Sequence, residues 1–589
     1  MGLDVRRGLA LHTWKAFDVD DEGRVLAGSD ETGSVQLVEL APDGASTPLT
    51  ALRGGCSGSY LSGERAVVVE HAEGGNERGQ LSLLRLGSEG YEPLAHDPRH
   101  VHRLVAALPG RVVYLTNRRN GVDFDVVIRN VFSGEEETVY DQGGMTSAAT
   151  ASPDSRYVAV VVPTDLPMSS RLVLVDTMPE TEAEHVLALT GAQEHAVHSH
   201  PHWLADSSGL VVTTNRGRDL TGIARYDLAT EQWSWLVASE QHDLTGWLSP
   251  DGRTLLVLTN ADGAAWLTLH DSTTGEQLRE IPLPAAGWVA YPLPEPVWSP
   301  NSRFLALSFS SPATPGDVLL VDVESGAVKA LTDSRAQFDQ QVPAEPTLHR
   351  VADRIPCFRY GDGESAVLFL HGGPEGQSVQ RFDPLVQGLV AAGHTVLVPN
   401  IRGSVGYGKR YYSADDVDKR LESIEDLTTL HDWLTEQGTP ADKIALWGRS
   451  YGGYLVLAGL AFQPDRWAAG VDIVGISSLV TFLRNTSGYR RAAREREYGS
   501  LERDLEFLER ASPLNSVDAI RAPLFVVHGA NDPRVPVAEA EQLAQAVRRN
   551  GIECELRVYA DEGHQLANED NKLDAYPAAI EFLDRVLRG

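Results

Sequence analysis

A short turn returns seven times through the first 335 residues, and few folds accommodate such a return. Its instances are Asp21-Glu22-Gly23, Ser62-Gly63-Glu64, Pro109-Gly110, Ser152-Pro153-Asp154, Asp206-Ser207-Ser208-Gly209, Ser249-Pro250-Asp251-Gly252 and Ser299-Pro300-Asn301. They lie about 40 to a little over 50 residues apart. A β-rich run follows several of them, at 65–69, 157–161, 254–258 and 304–307. Several units then add a second strand, at 172–176, 223–227, 267–271 and 318–323. An all-β repeat of this length predicts a propeller of four-stranded blades, because a lone blade cannot bury both faces and a ring of blades can. Seven turns predict seven blades, with the irregular spacing leaving the count open by one. His195, His198, His200 and His202 precede the fifth turn. Three of them alternate, so a regular strand would put those three on one face. No carboxylate or cysteine completes a metal-ligand spacing there, which favours a polar strand near the propeller axis over a metal site.

The pattern changes after 342–346. Buried-strand runs at 366–370, 395–399, 443–447, 470–474, 523–528 and 554–559 alternate with helical periodicity at 423–437 and 537–550, the latter closed by Gly551. That alternation predicts an α/β domain with a doubly wound, mostly parallel sheet. The chain therefore divides into a propeller over 1–335 and an α/β-hydrolase domain over 336–589.

Four strand ends of the second domain carry chemistry. Gly448-Arg449-Ser450-Tyr451-Gly452 sits between a strand and a helix, as a nucleophile elbow requires. The strained turn lifts the serine Oγ out of the fold, and the helix N-terminus aims N–H groups at the site. The turn His371-Gly372-Gly373-Pro374 can present a backbone N–H to an oxyanion, with the Tyr451 N–H as a second donor. Asp532 follows another strand, and His564 follows the last one. Serine, acid and histidine thus occur in the α/β-hydrolase order. Asp561 and Glu562 compete as acids but stand too close in sequence to His564 to face it easily. His371 and His528 compete as bases, but neither follows the acid, and both read as structural.

Composition narrows the class. An apolar fraction of 42% and a charged fraction of 23% describe a globular chain of 589 residues, long enough for two or more domains. The net charge of −31 disfavours nucleic acid and anionic membranes as partners. Cys56, Cys357 and Cys554 form neither a disulfide framework nor a zinc spacing and fit a reducing, cytoplasmic compartment. No secretion signal, membrane span or myristoylation pattern is read.

Five segments together resemble the prolyl oligopeptidase family of serine peptidases. They are His371–Pro374, Asn400-Ile-Arg-Gly-Ser-Val-Gly-Tyr-Gly408, Gly448–Gly453, His528-Gly-Ala-Asn-Asp-Pro-Arg-Val-Pro536 and Glu562-Gly-His564. The forms around Ser450 and Asp532 most resemble its acylaminoacyl-peptidase branch. The resemblance implies a triad of Ser450, Asp532 and His564, an oxyanion hole of Gly373 and Tyr451 N–H groups, and Arg534 as a substrate-binding residue that holds a backbone carbonyl. It implies short peptide substrates, no metal or organic cofactor, and leaves a homo-oligomer open. A surface ion pair is the other reading of Arg534. One departure stands out: some branch members carry an N-terminal helix on the hydrolase domain, whereas here any such helix is very short. The segment 476–482 offers Leu479, Val480 and Phe482 for an apolar pocket or for a core or interface role, and the basic run 490–496 reads as a solvated helix, with contact to a substrate carboxylate or a neighbouring subunit as the other readings. Aminopeptidase, dipeptidyl peptidase and esterase or amidase chemistry share the same signature, and a non-catalytic propeller binding protein is the reading from another class.

Overall fold

The structure is a computed structural model that describes residues 2–588 apart from 89, 179–184 and 340. Seven antiparallel four-stranded sheets follow one another from Trp14–Val19 to Ala327–Ala330. Each recurring turn joins the first and second strands of its own blade. The turns also touch one another: the Asp154 N–H donates to Ser207 Oγ at 3.2 Å, and Asp251 N–H to Ser302 Oγ at 3.0 Å. Strands stay in chain order within every blade, so the first and last blades share no strand. Their seam is held instead by side chains. Ala16 N–H donates to Ser308 Oγ at 2.9 Å, Asn301 N–H to Asp21 Oδ1 at 2.7 Å, and Ala16, Val25, Ala306 and Val318 share one apolar cluster.

Strand numbering starts in the α/β domain, where one eight-stranded sheet forms. Its strands are β1 (Thr347–Val351), β2 (Ile355–Tyr360), β3 (Ser365–Leu370), β4 (His394–Pro399), β5 (Ile444–Arg449), β6 (Gly470–Ile473), β7 (Leu524–Gly529) and β8 (Cys554–Tyr559). The order is β1-β2-β4-β3-β5-β6-β7-β8, parallel from β4 to β8, with the β1–β2 hairpin antiparallel at one edge. The helices used below are α1 (Val5–Leu9), α2 (Pro384–Ala391), α3 (Glu422–Glu436), α4 (Tyr451–Phe462), α5 (Leu479–Asn485), α6 (Gly488–Tyr498), α7 (Ala538–Arg549) and α8 (Glu569–Arg588). Leu427 and Leu430 of α3, Val456 of α4 and Leu543 of α7 cover one sheet face. Val5 of α1, Leu389 of α2 and Leu583 of α8 cover the other. Helix α4 is buried over 11 of its 12 residues, which explains why it carries no polar face.

The N-terminal helix spans five residues, capped by Asp4, whose Oδ1 accepts from Arg6 N–H at 3.0 Å. It packs on the α/β domain rather than the propeller: Gly8 lies against Pro384, and Gly388 lies against Val5. The chain therefore starts on one domain, builds the other and returns. The two crossings are tied together, since Gln337 Nε2 donates to His12 O at 2.9 Å and its Oε1 accepts from His12 N–H at 2.9 Å.

Candidate active site

Ser450 stands between β5 and α4 with φ 61° and ψ −117°, in the left-handed region that L-residues avoid. Its N–H donates to Ile473 O at 2.9 Å, and its carbonyl accepts from Tyr454 N–H at 3.0 Å, so the strain is held from both sides. The flanking glycines are required by packing. A Cβ on Gly448 would lie 2.1 Å from Gly452 O, and one on Gly452 would lie 2.2 Å from Leu370 O. A Cβ on Gly372 would lie 3.3 Å from that of Ser450, so the His371–Pro374 turn faces the serine directly. Among the described residues, neither the Gly373 N–H nor the Tyr451 N–H donates to another group. His371 is committed elsewhere, with Nε2 2.9 Å from Ser404 Oγ and Nδ1 2.8 Å from Gly372 O.

Asp532 and His564, from the loops after β7 and β8, meet at 2.7 Å between Oδ2 and Nδ1. Asp532 Oδ1 accepts from the N–H groups of Arg534 at 2.8 Å and Val535 at 3.0 Å. Burial works to raise the Asp532 carboxyl, yet the His564 hydrogen bond and the His564 and His528 charges outweigh it and hold the pKa below the ordinary value. Burial lowers the His564 imidazole, against the opposing pull of Asp532. Competing acids and bases have other duties. Glu562 accepts from Ala567 N–H at 2.8 Å and Asn568 N–H at 2.9 Å, at the approach to α8. Asp561 pairs with Asn571, and His528 Nε2 lies 2.9 Å from Val535 O.

Ser450, His564, Gly373 and Arg534 line one cavity of about 720 Å³ between the propeller and the α/β domain. Arg534 is anchored from the propeller: its Nε donates to Glu77 Oε1 at 2.6 Å, and Arg490 Nη2 donates to Glu77 Oε2 at 2.7 Å. The same propeller loop presses on the loops of the acid and the base. Asn531 Nδ2 donates to Gly74 O at 3.1 Å, and a Cβ on Gly563 would lie 2.1 Å from Gly75 O. Glu77 carries no sequence signal, because 457 residues separate it from Arg534.

Two expectations change, and the open choice for 476–482 divides between both roles. The basic run belongs to α6 at the domain interface rather than to a solvated helix: Arg490 binds Glu77, Arg494 faces Glu375, and Arg496 donates to Thr164 O at 2.6 Å. In 476–482, Leu479 and Val480 join the core, while Ile476 and Phe482 reach the cavity. The histidines do not share a face, because a bulge between Ser199 and His202, with His200 at φ 49°, breaks the alternation. His200 lines the cavity with Nε2 3.6 Å from Glu295 Oε2, His198 Nδ1 lies 2.8 Å from Ser170 O, and His195 Nε2 lies 3.1 Å from Pro167 O. Among the described residues no helix is long and apolar enough to cross a membrane.

The family model described as "Prolyl oligopeptidase family" matches residues 380–589, and the model of its N-terminal β-propeller domain matches 133–334. Dipeptidyl aminopeptidase BIII of Pseudoxanthomonas mexicana is 30% identical over 415 residues, 65% of this chain and 59% of that protein. Acylamino-acid-releasing enzyme 2 of Oryza sativa subsp. japonica is 26% identical over 210 residues, 34% of this chain and 27% of that one. The matched stretches thus cover less than two thirds of these relatives' own lengths. A puromycin-hydrolyzing peptidase of Mycobacterium tuberculosis has the same fold, with a TM-score of 0.85 at 19% identity over 99% of this chain and 96% of that one. With both family models matched in order, on a seven-bladed propeller followed by an α/β-hydrolase sheet, the chain belongs to the prolyl oligopeptidase family.

Proposed function

We propose that this protein is a serine peptidase that hydrolyses short peptides through an acyl-enzyme, in the manner of an acylaminoacyl exopeptidase. The observation that carries the reading is the Asp532–His564 contact of 2.7 Å in the cavity that also holds the strained Ser450. Ser450 Oγ attacks the peptide carbonyl as His564 takes its proton, and Asp532 keeps the imidazole in the tautomer that can do so. The N–H groups of Gly373 and Tyr451 receive the oxyanion, each contributing about 3 kcal/mol to the transition state. His564 then protonates the departing amine, and water, deprotonated by the same imidazole, releases the acyl group. The terminal nitrogens of Arg534 are left for a substrate carbonyl, because Glu77 takes only its Nε.

The position of the cavity under the propeller supports short substrates, since a folded chain cannot thread between the domains. The three buried free cysteines support a reducing, cytoplasmic setting. The acidic surface supports peptides, rather than nucleic acid or membranes, as partners. Dipeptidyl aminopeptidase action is the second reading, favoured by the longer match to a relative of that name. A panel of N-acetyl-aminoacyl, free aminoacyl and dipeptidyl p-nitroanilides with p-nitrophenyl esters separates these readings. Preference for N-acetyl substrates supports the first, preference for free dipeptides the second, and ester turnover alone discards the peptidase.

A further inference from the structure

Glu375 is one of four acidic residues that line the cavity, with Asp243, Glu295 and Asp383. Glu375 follows the His371–Pro374 turn, so its backbone is tied to the segment that faces the serine. Its carboxylate shares the cavity with Ile476, Phe482 and Tyr498. Among the described residues its only cation within 4 Å is Arg494, whose Nη1 lies 3.8 Å from Oε2, beyond hydrogen-bond reach.

Behind Glu375 lies a buried charge cluster. Arg420 pairs with Asp415 and Glu497, and its guanidinium sits 5.1 Å over the Tyr451 ring and 4.8 Å over Tyr498. Asp416 adjoins them. Four carboxyls, those of Glu375, Asp415, Asp416 and Glu497, therefore meet two guanidiniums, those of Arg420 and Arg494. Asp415 Oδ1, Asp416 Oδ1 and Glu497 Oε2 are buried without a donor. An acid excess in such surroundings must be neutralised by protons or by a cation that enters from the cavity. Burial and the Glu375 charge push the Glu497 carboxyl up. Glu375 moves the other way: burial opposes ionisation, but the Arg494 and Arg420 charges work against it and the pKa lies below the ordinary value. Of the two, the carboxyl on the cavity wall is the one whose charged form its neighbours favour.

We propose that Glu375 is a specificity-determining residue of this site and selects peptides whose P1 residue, the one that supplies the attacked carbonyl, carries a cationic side chain, lysine or arginine. The proposal rests on the serine-peptidase reading above. The apolar and aromatic walls take the methylene stem, and the carboxylate takes the charged head at the end of it. Glu375 stands two residues after Gly373, on the turn that faces the serine, and this adjacency is the ground for assigning it to P1 rather than farther along the peptide. The net charge of −31 adds long-range attraction for such substrates.

The test compares acetyl-Lys and acetyl-norleucine p-nitroanilides, whose stems match and whose heads differ. The wild-type protein is expected to favour lysine at least tenfold in kcat/KM, Glu375→Gln to bring the ratio near one, and Glu375→Asp to restore part of it. A wild-type preference for norleucine, or an unchanged ratio in Glu375→Gln, overturns the proposal. If Glu375→Gln does not fold, the wild-type ratio decides alone. Faster cleavage of free-amine Leu than of acetyl-Leu, lost in Glu375→Gln, would assign the carboxylate to the substrate amine and overturn the P1 role. Preference for P1 glutamate would give the site to Arg494 and overturn it equally. Fluorophosphonate labelling of Ser450 keeps the two readings apart. Labelling without lysine preference rejects only this inference, whereas absent labelling rejects the peptidase itself.

Discussion

Two loops, one from each domain, hold their glycines and acidic residues for different reasons: a propeller hairpin and the turn that carries the serine. In the propeller, Gly63 sits in a hairpin at φ 79° with nothing within 4 Å of its missing Cβ, so only backbone conformation demands it. In the α/β domain, a Cβ added at Gly448, Gly452 or Gly563 would lie within 2.2 Å of a carbonyl oxygen, so space demands these glycines. Acids differ likewise. Asp154 and Asp251 of the propeller order their own turns, accepting from N–H groups two residues away. Asp532 also orders its own turn through Oδ1, but its Oδ2 meets His564 from another strand end, and Glu375 faces Arg494 from a distant helix. The propeller hairpins are local solutions, whereas the turns around Ser450 and Asp532 are fixed by contacts on which the chemistry depends, one of them supplied by Glu77 of the propeller.

That contrast sets the predictions. Ser450→Ala removes the nucleophile and should lower kcat by about 10⁶, with fluorophosphonate labelling lost and the circular dichroism spectrum unchanged. Undiminished labelling of this variant would sink the assignment. Asp532→Asn should cost about 10⁴ in kcat, because an amide favours the wrong imidazole tautomer. A variant within tenfold of wild type would hand the acid role to another residue. Gly452→Ala drives a methyl toward Leu370 O and should destabilise by about 3 kcal/mol, whereas Gly63→Ala should cost about 1 kcal/mol through its φ alone. Equal shifts in denaturant midpoint would erase the distinction between the two kinds of glycine. Glu77→Gln releases Arg534 and the propeller loop, and should lower kcat/KM about threefold to tenfold, mostly through KM, since the pair is partly exposed. An unchanged KM would show that Arg534 does not need its propeller partner.

The pH profile sharpens the same point at the smallest scale. His564 must be neutral to accept the serine proton, and burial lowers its pKa. Activity should therefore survive below the ordinary histidine value of about 6.5 and fall only as pH drops through the lowered pKa. An acid limb above that value would contradict the buried imidazole.

Much of this was legible in the chain. Each of the seven turns marked a blade, because hairpin chemistry is local and repeats with the structure. The strands before Ser450 and Asp532 were readable because buried parallel strands are continuous apolar runs, and the edge strand before His564 because it alternates apolar and polar residues. The β1–β2 hairpin and helix α8 carried weaker patterns and escaped notice. The basic run misled for a physical reason. Arg490 and Arg494 find their partners 413 and 119 residues away in sequence, the first across the domain interface and the second within the α/β domain, so the run looks like a solvated face until the chain has folded. The histidine alternation failed because one bulge resets the side-chain phase, and nothing local announces it.

By itself, then, the sequence determined the two architectures, the order of serine, acid and histidine, and the glycines that let the elbow turn. These depend on spacing and backbone conformation, which neighbours in the chain impose. Tertiary structure alone decided that Glu77 braces Arg534, that α1 clasps the α/β domain, and that four carboxyls meet two guanidiniums beside the serine. Charge pairing depends on distance in space and on exclusion of water, and a linear chain specifies neither until it has folded.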